Sequence, residues 1–290
     1  MAKKKVARYN RMGVFDIVLI IIMVLFMCTI ILPFLHVIAV SFSSNGAVMT
    51  NKVGLWPVEF TFDTYKHILR DGAFFTAYGN TVYITIVGTA LSLTTSAMAA
   101  YALSRRKMVG QKLFSWMITI TMFFGGGLIP HYLAISSYGL IDTRWAMIIP
   151  SMISTWNLIV LRSFFIAYPQ EIIESGQIDG LQEAGVFFRL VLPTSKAALA
   201  TIGLYYAVGY WNSYMSARLY IRNEDLYPVQ HLLQKMLGSA TSLQEEADQR
   251  LVELSIRYGS IIVTVLPIMC VYPWLQKYFV KGVMVGSIKG

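Results

Sequence analysis

Charge is scarce in this 290-residue chain: Asp, Glu, Lys and Arg together make up 13% of it, against 56% hydrophobic residues. A soluble domain of that size could not cover its outside with so few polar side chains. Cysteine is nearly missing as well. Cys28 and Cys270 both lie inside apolar segments, which suggests neither a disulfide nor a metal site. The histidines His36, His67, His131 and His231 stand far apart without ligand spacing, so no metal centre is expected. No Gly-x-x-x-x-Gly-Lys-Ser/Thr run occurs, so the chain cannot cradle nucleotide phosphates by that device. No nucleophile-and-base pattern stands out. An enzyme acting alone is therefore not the expectation, and neither internal repeats nor low-complexity stretches are seen.

What is present is long apolar runs. A helix crossing a bilayer core of about 30 Å needs about 20 mostly apolar residues. Six windows meet that need: Val14–Val40, Ala73–Leu103, Leu113 to about Ile135, the stretch between Arg144 and Arg162, Ala197–Ala217, and Tyr258–Gln276. The expected fold is an all-α polytopic membrane protein of six transmembrane helices. The first run is too long for the h-region of a cleaved signal, about 7–15 residues, so it reads as a retained first helix. The third contains Gly125, Gly126, Gly127 and Pro130, which could allow close helix packing or mark a broken helix end.

The net charge of +9 is mostly a topology signal. With the N-terminus inside, the basic residues Lys3, Lys4, Lys5, Arg8 and Arg11, then Arg105, Arg106, Lys107 and Lys112, fall on the cytoplasmic side. Arg189, Lys196, Lys277, Lys281 and Lys289 join them. Because they hug the membrane ends, no nucleic-acid partner is expected. This reading gives a basic tail at 1–13, a membrane domain at 14–280 and a second tail at 281–290. An external loop spans 218–255, with a charged helical stretch at Gln244–Arg250, and a cytoplasmic loop spans 168–195.

The cytoplasmic loop is the most informative segment. Pro169 suits a first helical turn, and Glu171 and Glu174 lie where the helix dipole favours negative charge. Asp179-Gly180 breaks the run, Gly180 being free to turn left-handed. A second short helix is expected from Leu181 to about Leu192, with Ala184, Phe187, Phe188 and Val191 as its apolar stripe and Pro193 at its end. Such a pair could fill a groove in a partner or lie on the membrane surface.

The spacing Glu174, Gly180, Leu190-x-Leu192-Pro193 resembles the coupling loop of permeases in ATP-binding-cassette (ABC) importers. That signature reads Glu-Ala-Ala, three residues, Gly, nine residues, Ile, one residue, Leu-Pro. Ser175, Gly176 and Leu190 depart from it conservatively, and the loop falls between the fourth and fifth helices, as in the family. Asn80-Thr81, Ala99–Arg105, Trp211-Asn212 and the ending Lys281-Gly282-Val283 with Gly286–Gly290 are similar to the carbohydrate-importing branch. Phe123–Pro130 and Leu219–Asn223 are similar to a narrower group linked to fragments of complex polysaccharides.

The resemblance implies the type I importer permease fold and an oligosaccharide substrate. It also implies a second homologous permease, two ATPase subunits carrying ATP and Mg, an extracellular solute-binding protein and a lipid surround, with no cofactor on this chain. The coupling residues would be Glu171, Glu174, Asp179, Gly180, Phe187, Leu190 and Pro193. For the sugar path, aromatic faces and polar groups suit sugar rings. The fifth window offers Tyr205, Tyr206, Tyr210, Trp211, Asn212 and Tyr214, with Tyr206, Tyr210 and Tyr214 expected on one face. Trp156 and Asn157 are weaker candidates, and Arg162 is expected to snorkel to the inner surface. Competing readings are a permease of the same machinery for amino acids or peptides, and an ATP-independent transporter or scaffold. The loop-confined acids speak against ion coupling.

Overall fold

The structure, a computed structural model, describes residues 13–105, 107–238, 255–271 and 273. Helix is the regular secondary structure among the described residues, with no strand among them. Two units are described separately below: residues 1–68 with 242–262, and residues 69–241 with 263–290.

In the first unit, α1 (Val14–Ser41) starts with the Gly13 N–H donating to Asp16 Oδ2 at 2.9 Å. From Val14 to Leu32 it exposes large apolar side chains all round, and only Ala39, Val40 and Ser41 are buried. A helix apolar on every side and not covered by protein belongs in lipid. Its end packs on the short α2 (Asn45–Met49) through Val40, Ala47 and Val53, with Phe42, Phe60, Phe62 and Tyr65 forming an aromatic cluster beside them. Next comes α3 (Asp63–Arg70), where Thr64 and Ile68 sit so close to Gly259 that a Cβ there would fall within 2.5 and 2.9 Å of them.

The second unit is organised on α4 (Gly72–Ser104), capped by Asp71, whose carboxylate accepts the Ala73 N–H at 2.9 Å. Small residues recur on one face of α4 at Gly88, Ser92, Ser96 and Ala100, a four-residue spacing that lets another backbone come close. The helix that comes close is α12 (Lys196–Trp211), and α8 (Thr155–Ile166) packs beside it.

Between them run α5 (Gln111–Phe123), α6 (Leu128–Ser137), α7 (Trp145–Ile148), α9 (Gln170–Ile178), α10 (Glu183–Val186) and α11 (Leu192–Thr194). After α12 come α13 (Tyr214–Tyr220), α14 (Val229–Gly238) and α15 (Ser255–Val271), the last shared between the units.

Of the expected windows, α1 and α4 are single helices long and apolar enough to span a bilayer, and the third and fourth are bent pairs, while a further bent pair joins Glu183–Thr194 to α12. The third window breaks by 118° between α5 and α6. Gly127 is left-handed there (φ +82°), and no atom lies within 4 Å of the Cβ positions of Gly125 or Gly127, so a broken helix is observed and not close packing. The fourth bends by 48° between α7 with its following turn and α8. The fifth, expected as one helix, is two. α12 stops at Trp211, and Tyr214 opens α13 after Asn212 and Ser213 leave helical geometry. The sixth coincides with α15 as far as Val271. Its remainder, the tails and Gln244–Arg250 lie outside the described residues.

Candidate functional site

Two places in the second unit gather the sequence-derived candidates. The first is a cavity of about 320 Å³ beside α12. Its lining includes Ser151, Ser154, Asn157, Tyr205, Tyr206, Gly209, Tyr210, Asn212, Ser213 and Ser216, a set rich in hydroxyl and amide groups.

The tyrosines of that lining are not free ligands. Tyr206 and Tyr210 point at the small-residue stripe of α4 and are each 4% exposed. Tyr206 Oη pairs with Ser96 Oγ at 2.7 Å and accepts the Ser154 N–H at 3.0 Å. Tyr210 Oη pairs with Ser92 Oγ at 2.8 Å and donates to the Ile148 carbonyl at 3.1 Å. The Tyr210 ring lies over Gly88, where a Cβ would be 2.7–2.9 Å from three ring carbons. These two side chains therefore form the cavity's back wall and lock α12 to α4.

Trp211 is buried too, its Nε1–H donating to the Thr264 carbonyl at 3.2 Å. Asn212 is exposed at the α12 break, where Nδ2 donates to the Val208 carbonyl at 2.9 Å and Oδ1 accepts Gln230 Nε2 at 3.2 Å. Tyr214 does not share the face of Tyr206 and Tyr210, because the helix breaks before it. It stacks on His231 at 5.7 Å and accepts Arg218 Nη1 at 2.8 Å. Asn157 lies on the cavity wall, 6% exposed, whereas Trp156 is 57% exposed and is not among the lining residues.

The second place is the α9–α11 loop. α9 ends as the Asp179-Gly180 pair suggests. Gly180 has φ +86°, its N–H reaches the Gln177 carbonyl at 3.0 Å, and the Leu181 N–H reaches the Gly176 carbonyl at 2.9 Å. This is a Schellman ending, which satisfies two otherwise orphan carbonyls. Gly176, standing where the family signature has alanine, is buried against the returning segment. A Cβ there would lie 2.6 Å from Leu190 Cδ1. Leu190 thus closes the joint between the two helices.

The second helix starts at Glu183, not Leu181, and turns wider than an α-helix over Phe187–Val191. Pro193 does not end it. The helical trace runs on to Thr194, because the wider turn relieves the clash between the proline ring and the carbonyl four residues back. Ser195 then breaks the path, and α12 leaves at 83°. Phe187 is buried against Tyr101 (ring centroids 4.9 Å) and Phe165 (6.5 Å). Glu171, Glu174, Asp179 and Gly180 are exposed, as are the apolar Ile172, Ile178 and Phe188.

Sequence reasoning overlooked what holds this loop. Glu183 Oε2 accepts Tyr101 Oη at 2.9 Å, and Oε1 accepts Arg105 Nη2 at 3.1 Å and Gln177 Nε2 at 3.0 Å. Burial alone would raise the carboxyl's pKa, but the hydrogen bonds from Arg105 and Tyr101 outweigh it and hold the pKa below the ordinary value. The ion pair is half exposed, with 14% and 52% of the two side chains accessible. Screened pairs of this kind contribute about 0.2–1 kcal/mol, so the cluster acts through position more than through stability.

Arg162 also differs from expectation. Its Nε donates to the Leu103 carbonyl at 3.0 Å, and Gln111 Nε2 donates to the same oxygen at 2.9 Å. Both cap the C-terminal end of α4, where unpaired carbonyls carry partial negative charge. The signal for Glu183, a carboxylate in the first turn of a helix beside a basic helix end, was present but had no spacing rule to single it out.

Comparison with known proteins assigns the chain to a family. The chain is 38% identical to the polygalacturonan/rhamnogalacturonan transport system permease protein YtcP of Bacillus subtilis over 281 residues, covering 95% of this chain and 98% of that one. It is 41% identical over 264 residues to protein LplC of the same organism, covering 90% of each. A solved bacterial ABC transporter involved in import of the acidic polysaccharide alginate superposes with a TM-score of 0.85 at 31% identity, covering 91% of this chain and 96% of that one.

The chain belongs to the permease subunits of carbohydrate-type ABC importers.

No family model matches it. As a permease it is a multi-pass bacterial membrane protein and not itself an ATPase, since hydrolysis in this family lies in separate subunits. The family works as a complex of a partner permease, ATPases and a binding protein. Among the described residues of this permease, no group of three His, Cys, Asp or Glu side chains converges to hold a metal.

Proposed function

We propose that this permease forms, with a second homologous permease, the passage through which oligosaccharides from a complex polysaccharide enter the cell. The observation that carries this reading is the jointed loop. Its family-spaced residues form two short helices whose polar and apolar tips, Glu171, Glu174, Ile178 and Phe188, project outward while Phe187, Leu190 and Gly176 are packed inside. A partner that pushes on those tips moves a joint continuous with α12 across one break. The names of YtcP and of the alginate importer support a polysaccharide-derived cargo.

In this reading two ATPase subunits hold ATP and Mg and seat the 168–195 loop in a groove on the cytoplasmic side. The tails 1–13 and 281–290 share that side, and the 218–255 loop faces an extracellular solute-binding protein. The membrane domain 14–280 crosses the bilayer six times, in the inner membrane of a bacterium. The cavity at Tyr205, Asn157, Asn212 and Ser213 borders the sugar path, with Tyr206 and Tyr210 as its rigid wall and Trp211 and Tyr214 flanking it. Closure of the ATPases shifts the loop, and the helices joined to it reset the passage between outward- and inward-open states.

The test is sugar-stimulated ATP hydrolysis by the purified complex in liposomes with its binding protein. Gly180→Pro removes the N–H that closes the Schellman turn and forces φ negative. Gly180→Pro and, separately, Glu174→Lys should each abolish stimulation while the complex still assembles. Unchanged hydrolysis and uptake in both variants would return the loop to the status of a surface hairpin.

A further inference from the structure

Glu183 sits where the loop meets the rest of the second unit. It occupies one of the unspecified positions of the family signature, yet it carries the loop's polar attachments to α4: Tyr101 Oη at 2.9 Å on Oε2 and Arg105 Nη2 at 3.1 Å on Oε1. Gln177, on the other loop helix, donates to the same Oε1 at 3.0 Å. One carboxylate therefore ties α9, α10 and the end of α4 at a single point.

That end of α4 is a junction in its own right. The Leu103 carbonyl takes Arg162 from α8 and Gln111 from α5. Arg105 lies over the Tyr101 ring at 5.8 Å, and Tyr101 stands against Phe187 and Phe165. From there α4 runs unbroken to Ser96 and Ser92, whose hydroxyls hold the two tyrosines that wall the cavity.

We infer that Glu183 is a positioning residue through which movement of the loop is passed to α4, and along it to the Tyr206–Tyr210 wall of the cavity. A carboxylate suits the place because its two oxygens take three donors from two other elements at once. The covalent path through Ser195 turns by 83° before it reaches α12. The Glu183 contacts add a second path, from the loop directly to the straight helix α4. This role rests on the importer reading above and adds to it the side chain that transmits the stroke.

The experiment measures labelled oligosaccharide taken up per ATP hydrolysed by the reconstituted complex with its binding protein. It compares the native permease with Glu183→Ala, Arg105→Ala and Glu183→Gln. Glu183→Ala and Arg105→Ala should lower the ratio about fivefold or more. Glu183→Gln, which keeps acceptor and shape, should recover a substantial part of it. A purely structural role would lower hydrolysis and uptake together and leave the ratio alone. An unchanged ratio in both alanine variants overturns the inference.

Should Glu183→Ala fail to assemble, Tyr101→Phe removes one of the two α4 attachments from the opposite side. It should lower the ratio about twofold, and an unchanged ratio there overturns the inference equally. A native complex without any sugar-stimulated hydrolysis would instead bring down the importer reading, and this inference with it.

Discussion

Gly88 and Tyr210 illustrate how single residues set the wall of the cavity. A Cβ at Gly88 would press on three carbons of a rigid ring that has no free direction, since its hydroxyl is held by Ser92 and the Ile148 carbonyl. Gly88→Ala is therefore expected to lower stability by about 1–3 kcal/mol, the usual cost of overpacking. Tyr210→Phe, which loses two hydrogen bonds, should cost a similar amount at about 0.5–1.5 kcal/mol per bond. Thermal denaturation of the detergent-purified complex checks both, and a Gly88→Ala protein as stable as the native one would mean that the ring can swing away.

A second residue-scale prediction concerns Asp142, itself left-handed at φ +59°. Its carboxylate accepts the N–H groups of Arg222 and Asn223, the latter at 2.9 Å, and these hold its pKa below the ordinary value. A depressed folded-state pKa contributes stability above the unfolded value of about 3.9, and that contribution fades as pH falls through the folded value. Protection of the Arg222 and Asn223 amides from hydrogen exchange, relative to the intrinsic rate at each pH, should thus be strong at neutral pH and fall below about pH 4. Asp142→Ala should lack that protection at neutral pH, and equal protection in the two proteins at neutral pH would remove Asp142 from the account.

At the scale of elements, the joints matter more than the straight helices. Nothing lies within 4 Å of a Cβ at Gly127 or Gly180, so substitution there meets only backbone strain. Gly127→Ala should cost about 1–3 kcal/mol and Gly180→Ala about 1–2 kcal/mol, with partial uptake retained. Gly180→Pro, which also loses the N–H to Gln177, should abolish uptake. Equal behaviour of Gly180→Ala and Gly180→Pro in the uptake assay would show that the Schellman turn is not the feature that counts.

These joints also mark how far the sequence could be read. Apolar length located α1 and α4, and the signature spacing located the loop with its turn at Gly180, because both depend on chain-local chemistry. The break at Asn212–Ser213 was not legible. Tyr206, Tyr210 and Tyr214 keep an unbroken four-residue spacing, and no proline or glycine falls between Tyr210 and Tyr214, where the break occurs. Nor was the inward aim of Tyr206 and Tyr210, which depends on Ser92 and Ser96 more than a hundred residues earlier. Glu183 escaped for the same reason, since its partners Tyr101 and Arg105 are distant in sequence.

For the whole molecule, the central claim is that the 168–195 loop faces the cytoplasm and touches the ATPase subunits. Ile178, 86% exposed beside the Gly180 turn, offers the most direct probe. Its cysteine variant would be made in a permease whose Cys28 and Cys270 are replaced by serine and alanine, and expressed with its partners. The measurement is the product of a short bifunctional thiol reagent in membranes of that strain. The account predicts a covalent adduct between the permease and an ATPase subunit, with no labelling of Ile178→Cys in intact cells by a membrane-impermeant maleimide. Labelling from outside together with no ATPase adduct would contradict it.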